Sequence, residues 1–159
     1  NIYKLQNHLP RAWFVKNIIK EDKNLYNYLT ASAFDSENIA VVKDLESQSF
    51  LKGEVVNLQW DIHEILIDVN VSSEKAFLIL SEINYPERWK ATVDDKEVKI
   101  YQTNGILRGL LLNQGTHSIV FKYDDRLFRS LLIFSNILLF IILFILIKPF
   151  LMRLLKERS

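Results

Sequence analysis

The chain has 159 residues, of which 49% are apolar and 25% charged, a composition that excludes wholesale disorder. It has no cysteine, which excludes disulfides and thiolate sites, and its net charge of +1 gives no general case for nucleic-acid binding. The charge is unevenly spread: residues 1–126 hold 15 basic and 18 acidic groups, whereas residues 127–159 hold 5 basic and 1 acidic. This split predicts two regions with different surroundings.

The sequence of the N-terminal third predicts short secondary-structure elements. Val15 and its neighbours form a candidate strand. Residues 24–32 place apolar side chains on one helical face, with Asn24 as a candidate cap, and predict a short helix. The apolar run 39–42 predicts the next strand.

The chain after Gly53 has the period of β-strands. Apolar and polar side chains alternate over 65–71, which is typical of a strand with one buried face. Residues 75–81 are almost continuously apolar and fit a strand buried on both faces.

Turn signals separate the later strands. Asn104-Gly105 predicts a tight hairpin, because both residues tolerate positive φ. Asp94-Asp95 and the segment 113–116 predict two more turns before the last strand ends near Tyr123. Short strands with tight turns indicate a mainly β fold, an antiparallel β-sandwich of jelly-roll or immunoglobulin-like type, with a short N-terminal helix and a C-terminal transmembrane helix.

The predicted transmembrane helix covers residues 127–148. Its central stretch, 130–147, contains no charged side chain and would span roughly 27 Å as a helix, close to the thickness of the hydrocarbon core. The alternative is a buried core helix of a soluble protein. The stretch is apolar on every face and the chain is small, which favours the membrane.

The flanking charges predict an orientation. The tail, residues 149–159, has three basic groups and one acidic group, whereas Asp124 and Asp125 precede the span. The positive-inside bias predicts a cytoplasmic C-terminus and an extracytoplasmic domain of residues 1–126 in the cell membrane. No basic-then-apolar leader follows Asn1, so we expect an upstream segment to direct this domain outward.

Signals for catalysis and cofactors are weak. The three histidines are isolated in the sequence, and no metal-ligand spacing, phosphate-binding loop or nucleophile motif is present. The acidic pairs 94–95 and 124–125 are interpreted as solvated turn residues. We therefore predict no catalytic residue, no metal and no cofactor in this chain.

A glycan-binding site is one hypothesis. Tyr85, Trp89 and Tyr101 surround one predicted hairpin, and rings of this kind can stack on a sugar. Arg108 lies on the next predicted strand and offers a planar donor fork to an anionic or polyol-rich polymer. In the competing interpretation the rings fill the core or a membrane-interface belt, and Arg108 is merely solvated.

Several short motifs occur in an order that resembles a known family. They are LPRAWFV at 9–15, FD at 34–35, AVV at 40–42, LSE at 80–82, YP at 85–86, WKATVD at 89–94, NGILRG at 104–109 and GTHSIVFKY at 115–123. Their order resembles the C-terminal region of the YfhO family of bacterial multi-spanning membrane proteins. The family usually has Pro-Gly-Trp and Asp-Gly turns where this chain has Pro86-Glu87-Arg88-Trp89 and Asp94-Asp95, so both turns must be built differently here.

This resemblance implies a function for the longer protein. The family is similar to polyprenyl-phosphate-sugar-dependent glycosyltransferases that act on cell-envelope polymers such as teichoic acids. The catalytic acidic residue would lie in an upstream transmembrane bundle, outside this chain. The chain would then be an extracytoplasmic accessory domain with the last anchor, and its partners would be the bilayer, the upstream bundle and an envelope glycan. Two alternatives stay open: a non-enzymatic membrane-anchored envelope protein that binds a partner protein or glycan, and an independent sugar-binding module.

Overall fold

The computed structural model describes residues 8–22, 24–51, 53–85 and 88–157. The chain divides into two compact units, Asn1–Tyr123 and Asp124–Ser159. The described residues of the first unit, here called the β domain, form strands and one short helix. The elements are β1 (Ala12–Val15), β2 (Asn17–Lys20), α1 (Leu25–Leu29), β3 (Ile39–Val42), β4 (Gln48–Ser49), β5 (Glu54–Trp60), β6 (Glu64–Ile83), β7 (Trp89–Val93), β8 (Lys96–Val98), β9 (Tyr101–Thr103), β10 (Leu107–Tyr123) and, in the second unit, α2 (Arg126–Glu157).

The prediction of a mainly β fold with a short N-terminal helix and a long apolar C-terminal helix is confirmed. The described strands join in one sheet with the order β1-β6-β10-β9-β3-β2-β4, while β5 pairs with β6 and β7 lies between β10 and β8. The sheet is mixed rather than purely antiparallel, because β2 and β3 run parallel. The connection through α1 supplies the crossover that a parallel pair needs.

Two long strands give the sheet its two layers. β6 and β10 pair along most of their length, and their register shifts between Asn113 and Gly115, opposite residues 71–75 of β6. Buried side chains from both sides of this irregularity belong to one hydrophobic cluster, which we call the inner cluster: Ala12, Phe14, Ile65, Ile67, Val69, Val71, Ala76, Leu78, Leu80, Ala91, Leu110, Leu112, Ile119 and Phe121. The predicted sandwich is therefore built by one sheet whose two halves pack face to face.

The predicted turn at 113–116 is wrong, because β10 runs through it without a break. Gly115 takes a φ of +140°, a conformation that favours glycine, and the register shift there forms a bulge rather than a hairpin. In the same way, 65–71 and 75–81 are two parts of the single strand β6.

The second half of β6 is buried on both faces, as its continuous apolar sequence predicted. Ala76, Leu78 and Leu80 point into the inner cluster. Phe77 and Ile79 point the other way, into the outer cluster, whose buried members are Trp13, Val15, Ile18, Ala40, Val42, Phe77 and Ile79. This half of β6 is therefore the centre of the β domain.

The second unit contains α2. Its segment Arg126–Pro149 is long and apolar enough to cross a membrane. The most apolar 18 residues of this segment have a mean hydropathy of 3.0, and none of them is buried. The helix continues past Pro149 to Glu157. Two residues, Asp124 and Asp125, separate its start from the end of β10.

Candidate functional site

Arg108 is buried, with 2% of its surface exposed. It lies near the start of β10, and the register of β10 against β6 shifts between Leu107 and Arg108. Its Nε and Nη2 both donate to the carbonyl oxygen of Ile83, at 3.0 and 2.8 Å. The guanidinium therefore binds the last residue of β6, rather than facing solvent as the competing interpretation of the sequence supposed.

Trp89 covers the same guanidinium. The Arg108 Cζ lies 3.9 Å from the centroid of the Trp89 ring and 5.9 Å from that of Phe121. Trp89 is the first residue of β7, where it pairs with Tyr123, and its ring meets the Tyr123 ring edge-on at 5.5 Å. A cation stacked on an indole in a desolvated setting gains on the order of 2 kcal/mol, so this pair stabilises the end of the inner cluster.

The electrostatics of Arg108 are unusual. In the part of the chain that the structure describes, its buried Nη1 has no hydrogen-bond partner. Burial lowers the pKa of Arg108 to about 10, against a small opposing effect of the Glu82 charge. The side chain stays charged at neutral pH and its Nη1 has no acceptor among the described residues, which is a costly arrangement in a core.

Tyr85 lies in the loop between β6 and β7, and 54% of its surface is exposed. Its carbonyl oxygen accepts hydrogen bonds from the backbone N–H groups of Arg88 and Trp89, at 3.0 and 3.1 Å. This turn holds Tyr85 close to Trp89 along the chain. Tyr85 is thus an exposed residue whose backbone is hydrogen-bonded to that of Trp89.

Tyr101 is separated from the other three predicted site residues. Its ring lies 6.2 Å from that of Phe77 and packs against the outer cluster, whereas Trp89 packs against the inner cluster. Lys99 Nζ lies 4.9 Å from the centroid of the Tyr101 ring. The structure therefore brings together Tyr85, Trp89 and Arg108, but not Tyr101. Glycan binding by this set stays a prediction.

The sequence interpretation missed a second polar contact in the β domain. His117 Nδ1 lies 2.7 Å from Asp94 Oδ2, and His117 Nε2 lies 3.0 Å from the carbonyl oxygen of Asn113. The backbone N–H of Ser118 donates to Asp94 Oδ1 at 3.0 Å. The hydrogen bond to Asp94 raises the pKa of His117, and the bond with His117 lowers the pKa of Asp94.

This contact stabilises the turn between β7 and β8. Asp94 and Asp95 have φ values of 49° and 65°, so both adopt the left-handed conformation of a tight hairpin. The side chain of Asp94 ties this turn to β10, which offsets part of the strain. The turn-forming tendency of Asp94 was visible in the sequence, but the pairing of β7 with β10 was not.

The described residues contain no group of three or more histidine and acidic side chains that could hold a metal ion. The candidate site is instead made of aromatic rings and one guanidinium. Such groups bind planar, apolar or anionic surfaces.

Comparison with known protein families gave one match. The family described as "Bacterial membrane protein YfhO" matches residues 40–135, which is more than half of the chain. Searches of the curated proteins and of the solved structures gave no significant match.

Proposed function

The chain belongs to the YfhO family of bacterial membrane proteins, and on this premise we propose that it is the extracytoplasmic accessory domain and last anchor of a glycosyltransferase-like membrane protein. The longer protein would use polyprenyl-phosphate sugars and act on cell-envelope polymers. The observation that carries the proposal is the extent of the family match. It starts in β3 and continues through the junction into α2, so the β domain and the membrane helix form one family unit.

The β domain would either bind the acceptor polymer or support the structure of the longer protein. Tyr85 and Trp89 supply rings, and the buried Arg108 supports the Trp89 ring from within the domain. None of the three is placed as an acid or base for sugar transfer. An exposed ring beside a half-buried indole suits the apolar face of a sugar. The β domain would hold an acceptor polymer close to the membrane surface, where a lipid-linked donor is also found.

The orientation is tested by reporter fusions to the full-length protein. A reporter that is active only in the cytoplasm should work when fused after Ser159. A fusion that stops after Asp125, and so lacks α2, should reverse this result. Activity of a reporter that works only outside the cell, when it is fused after Ser159, would contradict the proposed placement of the β domain.

The role in transfer is tested with the full-length protein in membranes and a polyprenyl-phosphate sugar as donor. We expect Tyr85→Ala to raise the KM for the acceptor polymer and to leave the KM for the donor unchanged. Tyr26→Ala is the matched control, because Tyr26 is an exposed tyrosine in α1 of the same domain.

The outcomes separate the candidate functions. Equal acceptor KM values in wild type and Tyr85→Ala would indicate that the β domain supports the longer protein structurally and does not bind the acceptor through Tyr85. Absence of any sugar transfer by the full-length protein would favour the non-enzymatic envelope protein. Transfer by residues 1–159 alone would place catalysis inside this chain and overturn the accessory role.

A further inference from the structure

Large apolar side chains are exposed at one end of the β domain. Ile62, in the turn between β5 and β6, has 79% of its surface exposed. Trp60 at the end of β5 and Tyr85 in the β6–β7 loop are also exposed. We call these three residues the apolar edge.

Strand register places the apolar edge at the end of the sheet where β10 stops. The backbone N–H of Tyr123 donates to the carbonyl oxygen of His63, next to Ile62, at 2.9 Å. On the other side Tyr123 pairs with Trp89, directly after the loop that holds Tyr85. The turn with Ile62 and the loop with Tyr85 therefore flank the last residue of β10.

The chain itself ties this end of the sheet to the membrane helix. Two residues separate Tyr123 from Arg126, where α2 and its candidate span begin. Three Cα–Cα steps reach at most about 11 Å. This is comparable to the headgroup layer, which is on the order of 5–8 Å thick on each side of the hydrocarbon core.

We propose that the apolar edge docks into the headgroup layer of the bilayer that α2 crosses. Ile62 would provide the apolar contact, and Trp60 would take the interfacial position that amphipathic rings prefer. Tyr85 flanks this contact and stays available to the candidate site. Arg11 strengthens this assignment, since its guanidinium lies 4.0 Å from the centroid of the Trp60 ring and 59% of its side chain is exposed. Its Nη1 also lies 3.5 Å from Glu82 Oε1, a long contact that leaves other donors of the guanidinium available. Arg11 is thus placed to meet lipid phosphates.

The proposal depends on α2 spanning the membrane and not on sugar transfer. Its test therefore uses Ile62, which is not part of the candidate glycan site. The chain has no cysteine, so Ile62→Cys creates a single labelling position for a fluorescent probe. The substitution is made at a highly exposed turn residue, and circular dichroism checks that the β domain is folded.

Leu51→Cys is the matched control. Leu51 is 69% exposed and lies beside Ser73 and Lys75, at the opposite end of the first half of β6. The separation along β6 is about 25 Å. Both labelled chains, residues 1–159, are reconstituted in phosphatidylglycerol-containing vesicles with and without lipids that carry a quencher at headgroup depth.

We expect the probe at Ile62 to lose most of its fluorescence in quencher-containing vesicles, while the probe at Leu51 keeps its signal. Equal and weak quenching at both positions, with open access to aqueous iodide, would overturn the proposal. Protection of Ile62 from iodide without quenching by lipid would also overturn it, because the edge would then be covered by protein, such as a second copy of the chain.

Discussion

The β domain and α2 use the same apolar residue types in opposite ways. Phe77 in β6 is fully buried between two layers of protein, whereas 71% of Phe140 in α2 is exposed. The β domain therefore satisfies its apolar side chains within its own fold. The exposed apolar surface of α2, a candidate span in a bacterial membrane protein family, fits a lipid bilayer.

This difference shows that the spacing of apolar residues along a segment indicates its surroundings better than their overall proportion does. The first half of β6 alternates buried and accessible side chains, and so fits a sheet with one face toward a core. The segment 130–147 has no polar face at all. The following predictions use matched positions in the β domain and in α2 to test this difference.

The largest expected effect is on the core of β6. Phe77→Ala should lower the free energy of unfolding of the β domain by about 3–5 kcal/mol, because it leaves a cavity between β6 and the outer cluster. Phe140→Ala removes the same atoms from an exposed position of α2 and should leave that free energy unchanged. Urea unfolding of the detergent-solubilised chain, followed by tryptophan fluorescence, measures both. Equal losses would mean that α2 is part of the domain's core.

A charge in the apolar helix should have the second-largest effect. Leu138→Arg should disfavour membrane insertion of α2 by roughly 2.5–3.5 kcal/mol, the cost of a basic residue at the centre of a span. Ile106→Arg is the control in the β domain, at an exposed turn position (59%, against 48% for Leu138), and should change stability by no more than about 0.5 kcal/mol. Insertion is read from the membrane-bound fraction after alkaline extraction. Unchanged binding of Leu138→Arg would argue that α2 is not a span.

Local sequence patterns predicted the elements better than the contacts between them. The alternation in 65–71, the apolar run 75–81 and the Asn104-Gly105 turn are properties of neighbouring residues, and each predicted the right local structure. The continuity of β10 through residue 115 could not be predicted in this way. A glycine that allows a bulge and a glycine that ends a strand look the same in a sequence.

The candidate site shows the same limit. The neighbourhood of Tyr85, Trp89 and Arg108 was predicted from chain order. The burial of Arg108 was not, because it depends on the pairing of β10 with both β6 and β7. A charged residue in an alternating strand normally indicates the solvent face, and here the register shift at Leu107–Arg108 brings Arg108 under Trp89.

A third effect, of intermediate size, concerns the turn between β9 and β10. Asn104 and Gly105 have φ values of 48° and 81°, so Gly105→Val should cost on the order of 1–3 kcal/mol in β-domain stability. Gly105→Asn is the control, because asparagine tolerates this conformation much better. Thermal unfolding of both variants measures the difference. If the valine variant were as stable as the asparagine variant, the backbone of this turn would relax without strain, and the prediction would be wrong.

The smallest expected effect is a pH dependence confined to the β domain. The pKa of His117 is raised above its ordinary 6.5 by Asp94, so the stabilisation from the charged histidine is complete below that pH and is lost as the pH rises through the raised pKa. The lowered pKa of Asp94 gives a pH dependence in the opposite direction. The stabilisation from the charged carboxylate is complete above pH 3.8 and is lost as the pH falls through the lowered pKa. The pair should therefore stabilise the domain most between these limits, and the unfolding temperature of the wild type should fall as the pH is raised above 6.5. Asp94→Asn keeps an oxygen for the N–H of Ser118 and tolerates the positive φ, but removes the charge next to His117. In this variant the unfolding temperature should decrease much less as the pH is raised. If it decreased as steeply as in the wild type, the pH dependence would belong to another group.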